Sequence, residues 1–260
     1  MSEPTTTGDG AIPGSAAGRA WLSARGWLFR GGPLVALIVL VVALAIASPH
    51  FFTPGNLLNI TRQTAITAIL AIGQTFVILT AGIDLSVGSI VAVVAVTSAL
   101  LLDAGLPIVL VLAAGLAIGA ALGAINGLGI TVGRLPPFIM TLGMMVMGRG
   151  FAMTISDGHP IHFRERAADF GWLGQGTLLG LPVPVWLFAV VAAAAYVVLR
   201  YTAFGRNVYA TGSNPEAARL AGINVRLVVF SVYVISGALS AVCTALAVVL
   251  ARTMRREETR

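Results

Sequence analysis

The fold class predicted by this sequence is an all-α integral membrane protein, a polytopic bundle of about seven transmembrane helices with a cytoplasmic N-terminus. Three observations predict it. Hydrophobic residues make up 57% of the 260 and charged residues only 10%, where a soluble domain carries about 25% charged. Mean hydropathy is +0.93. Apolar segments close to the ~20 residues needed to cross hydrocarbon recur along the whole chain. Such a chain satisfies its backbone within helices and packs them through small residues, since lipid removes the usual drive to bury an oily core.

Taken in order, residues 1 to about 20 are rich in Ser, Thr, Gly and Pro and lack periodicity, the composition of a disordered tail. Arg19, Arg25 and Arg30 extend this to an arginine-flanked cytoplasmic tail over 1–30. The apolar run 31–48 ends in Ala45-Ile46-Ala47, a small-x-small pattern that a cleaved signal peptide would also show; its span length and the spans that follow favour a retained helix. Further spans are expected at 64–81, 86–103, 106–130, 136–155, 181–200 and 227–250, which makes residues 31–250 one transmembrane domain. Only a short polar break separates the second and third.

Between the last two spans lies a polar island, 201–226, containing TAFGRNVYATGSNPEAARLAGINV. It holds a complete miniature helix. Asn214 is a good N-cap, Pro215 suits the first helical position, and Glu216 puts negative charge in the first turn. Arg219 falls near the end, and Gly222 can adopt the left-handed conformation that stops a helix. Two turns are far below the ~12–15 residues at which an isolated helix becomes marginal. The segment therefore reads either as a helix that docks against a partner or as a connector lying on the membrane surface.

Charge gives orientation. With the N-terminus inside, Arg19, Arg25, Arg30, Arg134, Arg200, Arg206, Arg219 and Arg226 are internal and Arg62, Arg164 and Arg166 external, eight against three. The last ten residues, ARTMRREETR, break this pattern and form an atypical charged tail over 251–260. A net charge of +6 and a pI near 10.7 suggest nucleic acid, but the arginines flank apolar segments instead of forming a stripe, so no nucleic-acid partner is expected. All sixteen basic residues are arginine. Without lysine the chain has no P-loop and no Schiff base, so any ATP is bound elsewhere. The single cysteine, Cys243, cannot form an internal disulfide.

Gly115, Gly119, Gly123 and Gly127 recur every four residues, a face that lets another backbone come close; Asn126 lies beside it. In the polar break TAGIDLSVGS (80–89), Asp84 is the sole acid of its apolar region. The favoured reading makes it an interfacial cap on a helix starting at Leu85. The alternative places Gln74, Asp84, Ser86 and Asn126 along a substrate path at an unwound segment. His159 and His162, in HPIH, have a proline between them and no third ligand nearby, and His50 lies in another loop, so no metal is expected. The methionines of 136–155 read as packing, and no nucleophile–base pair stands out.

The stretches AIGQTFVILTAGIDLSVGSIVAV (71–93), NGLGITVGRLPPFIMTLGMMVMGRGFA (126–152) and FGRNVYATGSNPEAARLAGINV (204–225) resemble the permeases of bacterial ABC importers for ribose and related monosaccharides. The resemblance covers about residues 33–252. It implies a non-enzymatic subunit of the bacterial inner membrane, working with a second permease copy (identical or not), an ATP-binding cassette ATPase carrying the ATP and Mg, and a soluble binding protein. It implies no cofactor in this chain and assigns contact with the ATPase to Asn214, Pro215, Glu216, Arg219 and Gly222. Family members continue through further spans after the position of Ala251-Arg252, so a chain shortened by about three spans is expected. The alternatives are a non-functional fragment and an ion-coupled carrier, for which Asp84 is the one candidate acid.

Overall fold

A computed structural model describes the backbone of residues 16–159 and 176–257, and side chains over 32–159 and 176–246. The chain divides into two compact units, Met1–Leu57 and Leu58–Arg260.

The first unit holds α1 (Ala16–Ala47) and the opening turn of α2 (Pro54–Leu79). Residues 16–30, expected within a disordered tail, are helical: Ala16, Ala17, Ala20, Leu22 and Ala24 are strong helix formers, and they override the polar composition around them. Residues 1–15 lie outside the described residues. α2 starts ten residues before the expected position 64. Thr53 accepts a hydrogen bond from Asn56 N at 3.4 Å, and Pro54 takes the first helical position, so a cap followed by proline carries the helix through a polar turn.

The second unit contains the rest of α2, then α3 (Val87–Asp103), α4 (Ile108–Thr131) and α5 (Pro137–Ile155). A two-residue hairpin follows, Thr177–Leu178 against Leu181–Pro182. It turns through Leu179 and Gly180, both at positive φ as a type I′ turn requires. After it come α6 (Val183–Tyr201), α7 (Ala203–Ser213), α8 (Pro215–Leu220) and α9 (Val225–Glu257). Every segment expected to span is a helix. Among the described residues five are long and apolar enough to cross a membrane, while Gly32–Ala47 and Val87–Asp103 are apolar but shorter.

The tightest seam is α4 against α9. A Cβ on Gly119 would stand 2.5 Å from the carbonyl oxygen of Gly237 and 2.8 Å from Ala241 Cβ, and one on Gly123 would strike the carbonyl of Tyr233. Gly127 meets Phe230. α9 contributes its own glycine, since Gly237 lies against Gly119 and Gly123. The stripe splits at Gly115, which faces Val94 and Ser98 of α3 instead. Backbone meets backbone along this seam because both helices give up their side chains there.

The 201–226 island contains an element the sequence reading did not name. α7 begins at the cap Thr202, whose hydroxyl accepts from Gly205 N at 3.2 Å, and runs to Ser213. One residue later α8 begins.

Candidate functional site

Two features stand at the same end of the second unit: the exposed helix α8 and a helix break, residues 80–86, between α2 and α3. Within the break Asp84 and Ser86 are buried while Ala81 and Ile83 are exposed.

α8 is built as its residues dictate. The Asn214 carboxamide oxygen accepts from Glu216 N and Ala217 N, each at 3.0 Å. At the other end Gly222, at φ +84, donates to Arg219 O, and Ile223 donates to Ala218 O, each at 3.0 Å. This paired closure is a Schellman stop. Glu216 and Arg219 form an ion pair at 3.4 Å with side chains about two-thirds exposed; a pair that open to water contributes little. Leu220 is 83% exposed on the same helix. Ala218 alone is buried. The helix thus offers a polar, charged face and one large apolar side chain to solvent.

The break starts with a second Schellman stop. Ala81, at φ +60, donates to Ile78 O at 2.9 Å, and Gly82 donates to Val77 O at 3.0 Å. An alanine stands where glycine would be unstrained. Beyond it, Ile83 O accepts from the Tyr233 hydroxyl at 3.1 Å. Gly82 leaves room for that ring, since a Cβ there would lie 2.8 Å from the Tyr233 oxygen.

Asp84 corrects the expectation of a shallow interfacial cap. It is only 4% exposed, α3 starts at Val87 rather than Leu85, and Ser86 occupies the N-cap position. One carboxylate oxygen accepts from Ser86 N at 2.9 Å and from Ser86 Oγ at 2.6 Å; the other accepts from Ser236 Oγ at 2.9 Å. The turn from Asp84 to Ser86 is the local pattern that reads as a cap, but helices from elsewhere in the chain cover it. Among the described residues no ion pair reaches this carboxylate. Three hydrogen-bond donors hold it instead.

The four residues assigned to a substrate path come together here. Gln74 Nε2 donates to Asp84 O at 2.6 Å, and Asn126 Nδ2 donates to Ser86 Oγ at 2.8 Å. Asp84, Ser86 and Asn126 are buried while Gln74 is half-buried. Asn126 Oδ1 is buried without a partner among the described residues. Thr141 of α5 and Tyr233 and Ser236 of α9 complete the cluster. They went unremarked in the sequence because a serine or tyrosine in an apolar helix carries no signal until its register against a distant break is known. Thr141 lies four residues into α5 and Ser236 eleven into α9, so the cluster is recessed by about 6–16 Å from those helix ends.

Among the described residues no group of three or more His, Cys, Asp or Glu could hold a metal ion. His162 lies outside the described residues; His159 and His50 are exposed.

Residues 56–257 match the family described as the permease component of branched-chain amino acid transport systems. The chain belongs to that family. It is 42% identical over 218 residues to the ribose import permease protein RbsC of Escherichia coli (strain K12), covering 83% of this chain and 68% of that protein. It is 44% identical over 209 residues to the protein of the same name from Haemophilus influenzae, covering 80% and 65%. The galactofuranose transporter permease protein YtfT of Escherichia coli (strain K12) is 36% identical over 217 residues, covering 80% and 63%. The permease therefore spans about two thirds of the length of these curated relatives. No solved structure matches it.

Proposed function

We propose that this permease is the membrane-spanning subunit of an ATP-binding-cassette importer in the bacterial plasma membrane. Its cargo is a monosaccharide of the ribose, xylose or galactose kind, delivered by a soluble binding protein. The observation that carries this is α8, a two-turn helix capped at both ends, exposed, and joined to α7 through the single residue Asn214. A helix too short to persist alone is built here as a fixed feature. The names of the relatives support a sugar importer over an ion-coupled carrier. ATP and Mg belong to a separate cassette chain, which meets Asn214, Pro215, Glu216, Arg219 and Gly222. A second permease copy, identical or not, completes the pathway. Of the four clustered polar residues, Gln74 is the one open enough to meet a passing sugar; Asp84, Ser86 and Asn126 hold the break that shapes the path.

The test is reconstitution of uptake. Cells lacking their own ribose uptake, given this permease with its cassette ATPase and binding protein, should accumulate labelled ribose, xylose or galactose only when all three proteins are present. Uptake that persists without the ATPase would favour ion coupling and sink the proposal.

A further inference from the structure

The two helices flanking α8 both end on the same seven-residue break. On one side, α7 reaches it through Gly212, where an added Cβ would run into the carbonyl oxygen of Leu79, the last residue of α2. The contact is backbone on backbone, and any side chain here would push α7 off Leu79. Val208, one turn earlier and fully buried, packs with Phe76 and Val77 of α2 and with Val228, Val232 and Tyr233 of α9. On the other side, α9 begins at the Asn224 cap, which accepts from Leu227 N at 3.1 Å, and sends Tyr233 to Ile83 O and Ser236 to Asp84. Only Asn214 separates α7 from α8. On the α7 side a displacement of α8 has no loop in which to dissipate; the link to α9 is the four residues 221–224.

We propose that α7 is the lever carrying motion of the docking helix into the break, with Gly212 as the positioning residue that seats it on Leu79. This rests on the reading of α8 as the ATPase-docking helix. The receiving segment suits the role. It is a helix stop held in a strained form by Ala81 at φ +60, followed by residues held by side chains of α2, α5 and α9 instead of a helical ladder. The seam also contains an unsatisfied group. The Thr211 hydroxyl, beside Gly212, is buried with no partner among the described residues, so the packing seen here leaves this seam with an unmet polar group. An element with two packed arrangements is what coupling between distant sites requires.

The experiment compares Gly212→Ala with its parent, both co-expressed with the cassette ATPase and supplied with sugar-loaded binding protein. Gly212→Ala should still capture the ATPase, because α8 is untouched, while stimulation of ATP turnover falls roughly tenfold, within the usual range of coupling factors. A direct readout comes from Ala81→Cys in a Cys243→Ala background. Its labelling by a maleimide should change on trapping with ATP and vanadate in the parent and stay constant once Gly212→Ala is added. Should Gly212→Ala fail to fold, Val208→Ala thins the same seat without a clash and should act in the same direction more weakly. Full stimulation in the folded variants, or labelling at position 81 that still follows nucleotide, overturns the proposal. If even the parent does not capture the ATPase, the docking reading falls and this inference with it; capture with intact coupling in the variants removes this inference alone.

Discussion

Asp84 shows how far a single residue can be read before its neighbours are known. The sequence Asp-x-Ser announces a turn onto a helix, and the structure has that turn, with Ser86 donating twice to the carboxylate. The depth was not legible, because it depends on Ser236, 152 positions later in the chain. An ionised aspartate at the centre of a lone transmembrane helix costs ~2.5–3.5 kcal/mol on insertion scales. Here three donors offset that cost, and the carboxylate in turn prevents those donors from being buried unpaired. The expected consequence separates shape from charge. Asp84→Asn keeps an acceptor for Ser86, and the Ser236 hydroxyl can turn to accept from the new amide, so folded yield should be near the parent's. Asp84→Ala strands the Ser86 and Ser236 donors and should cost about 1–3 kcal/mol. Thermal unfolding in detergent measures both. Equal loss in the two variants would mean that the charge itself is required.

At the scale of elements, legibility followed local chemistry. The α8 caps were readable because Asn, Pro and Gly act within four residues of themselves, and the structure pairs Asn214 and Gly222 as those types dictate. The start of α2 was missed although Thr53-Pro54 has the same logic, because hydropathy weighed Asn56, Asn59, Arg62 and Gln63 against a span. α7 was missed for another reason. FGRNVYATGS has two glycines and no long apolar stripe, and tertiary contact through Val208 and Gly212 stabilises the helix more than propensity does. These causes point to a graded mutational series on α8. The Glu216–Arg219 pair is exposed, so a double alanine variant should weaken ATPase capture only modestly. Asn214→Ala removes the acceptor of two backbone N–H groups and should cost ~1 kcal/mol of helix stability. Gly222→Val places a β-branched residue at φ +84 and redirects the chain into α9. It should insert normally yet lose capture of the ATPase in a pull-down. Capture unchanged in all three would leave α8 a mere connector.

For the molecule as a whole, the remaining question is which way it faces, and the fold sharpens the arginine argument. The ends of α2, α4 and α6 and the starts of α3, α5 and α9 lie at one end of the second unit together with α7 and α8, as the contacts of Asn126, Thr141, Tyr233 and Gly212 require. Arg134, Arg200, Arg206, Arg219 and Arg226 all belong to that end. Toward the other end are Arg62, in the first half of α2, and Arg149, which is exposed six residues before α5 finishes. Arginines held on the cytoplasmic side during insertion set orientation, so the α7–α8 end should be cytoplasmic and the end of α5 external. Ser213 and His159 are exposed at the two ends. In a Cys243→Ala background, a membrane-impermeant maleimide applied to intact cells should label His159→Cys and spare Ser213→Cys, and inverted vesicles should reverse the result. Labelling of Ser213→Cys in intact cells would put α8 outside, out of reach of any cytoplasmic ATPase, and would remove the docking role along with the orientation.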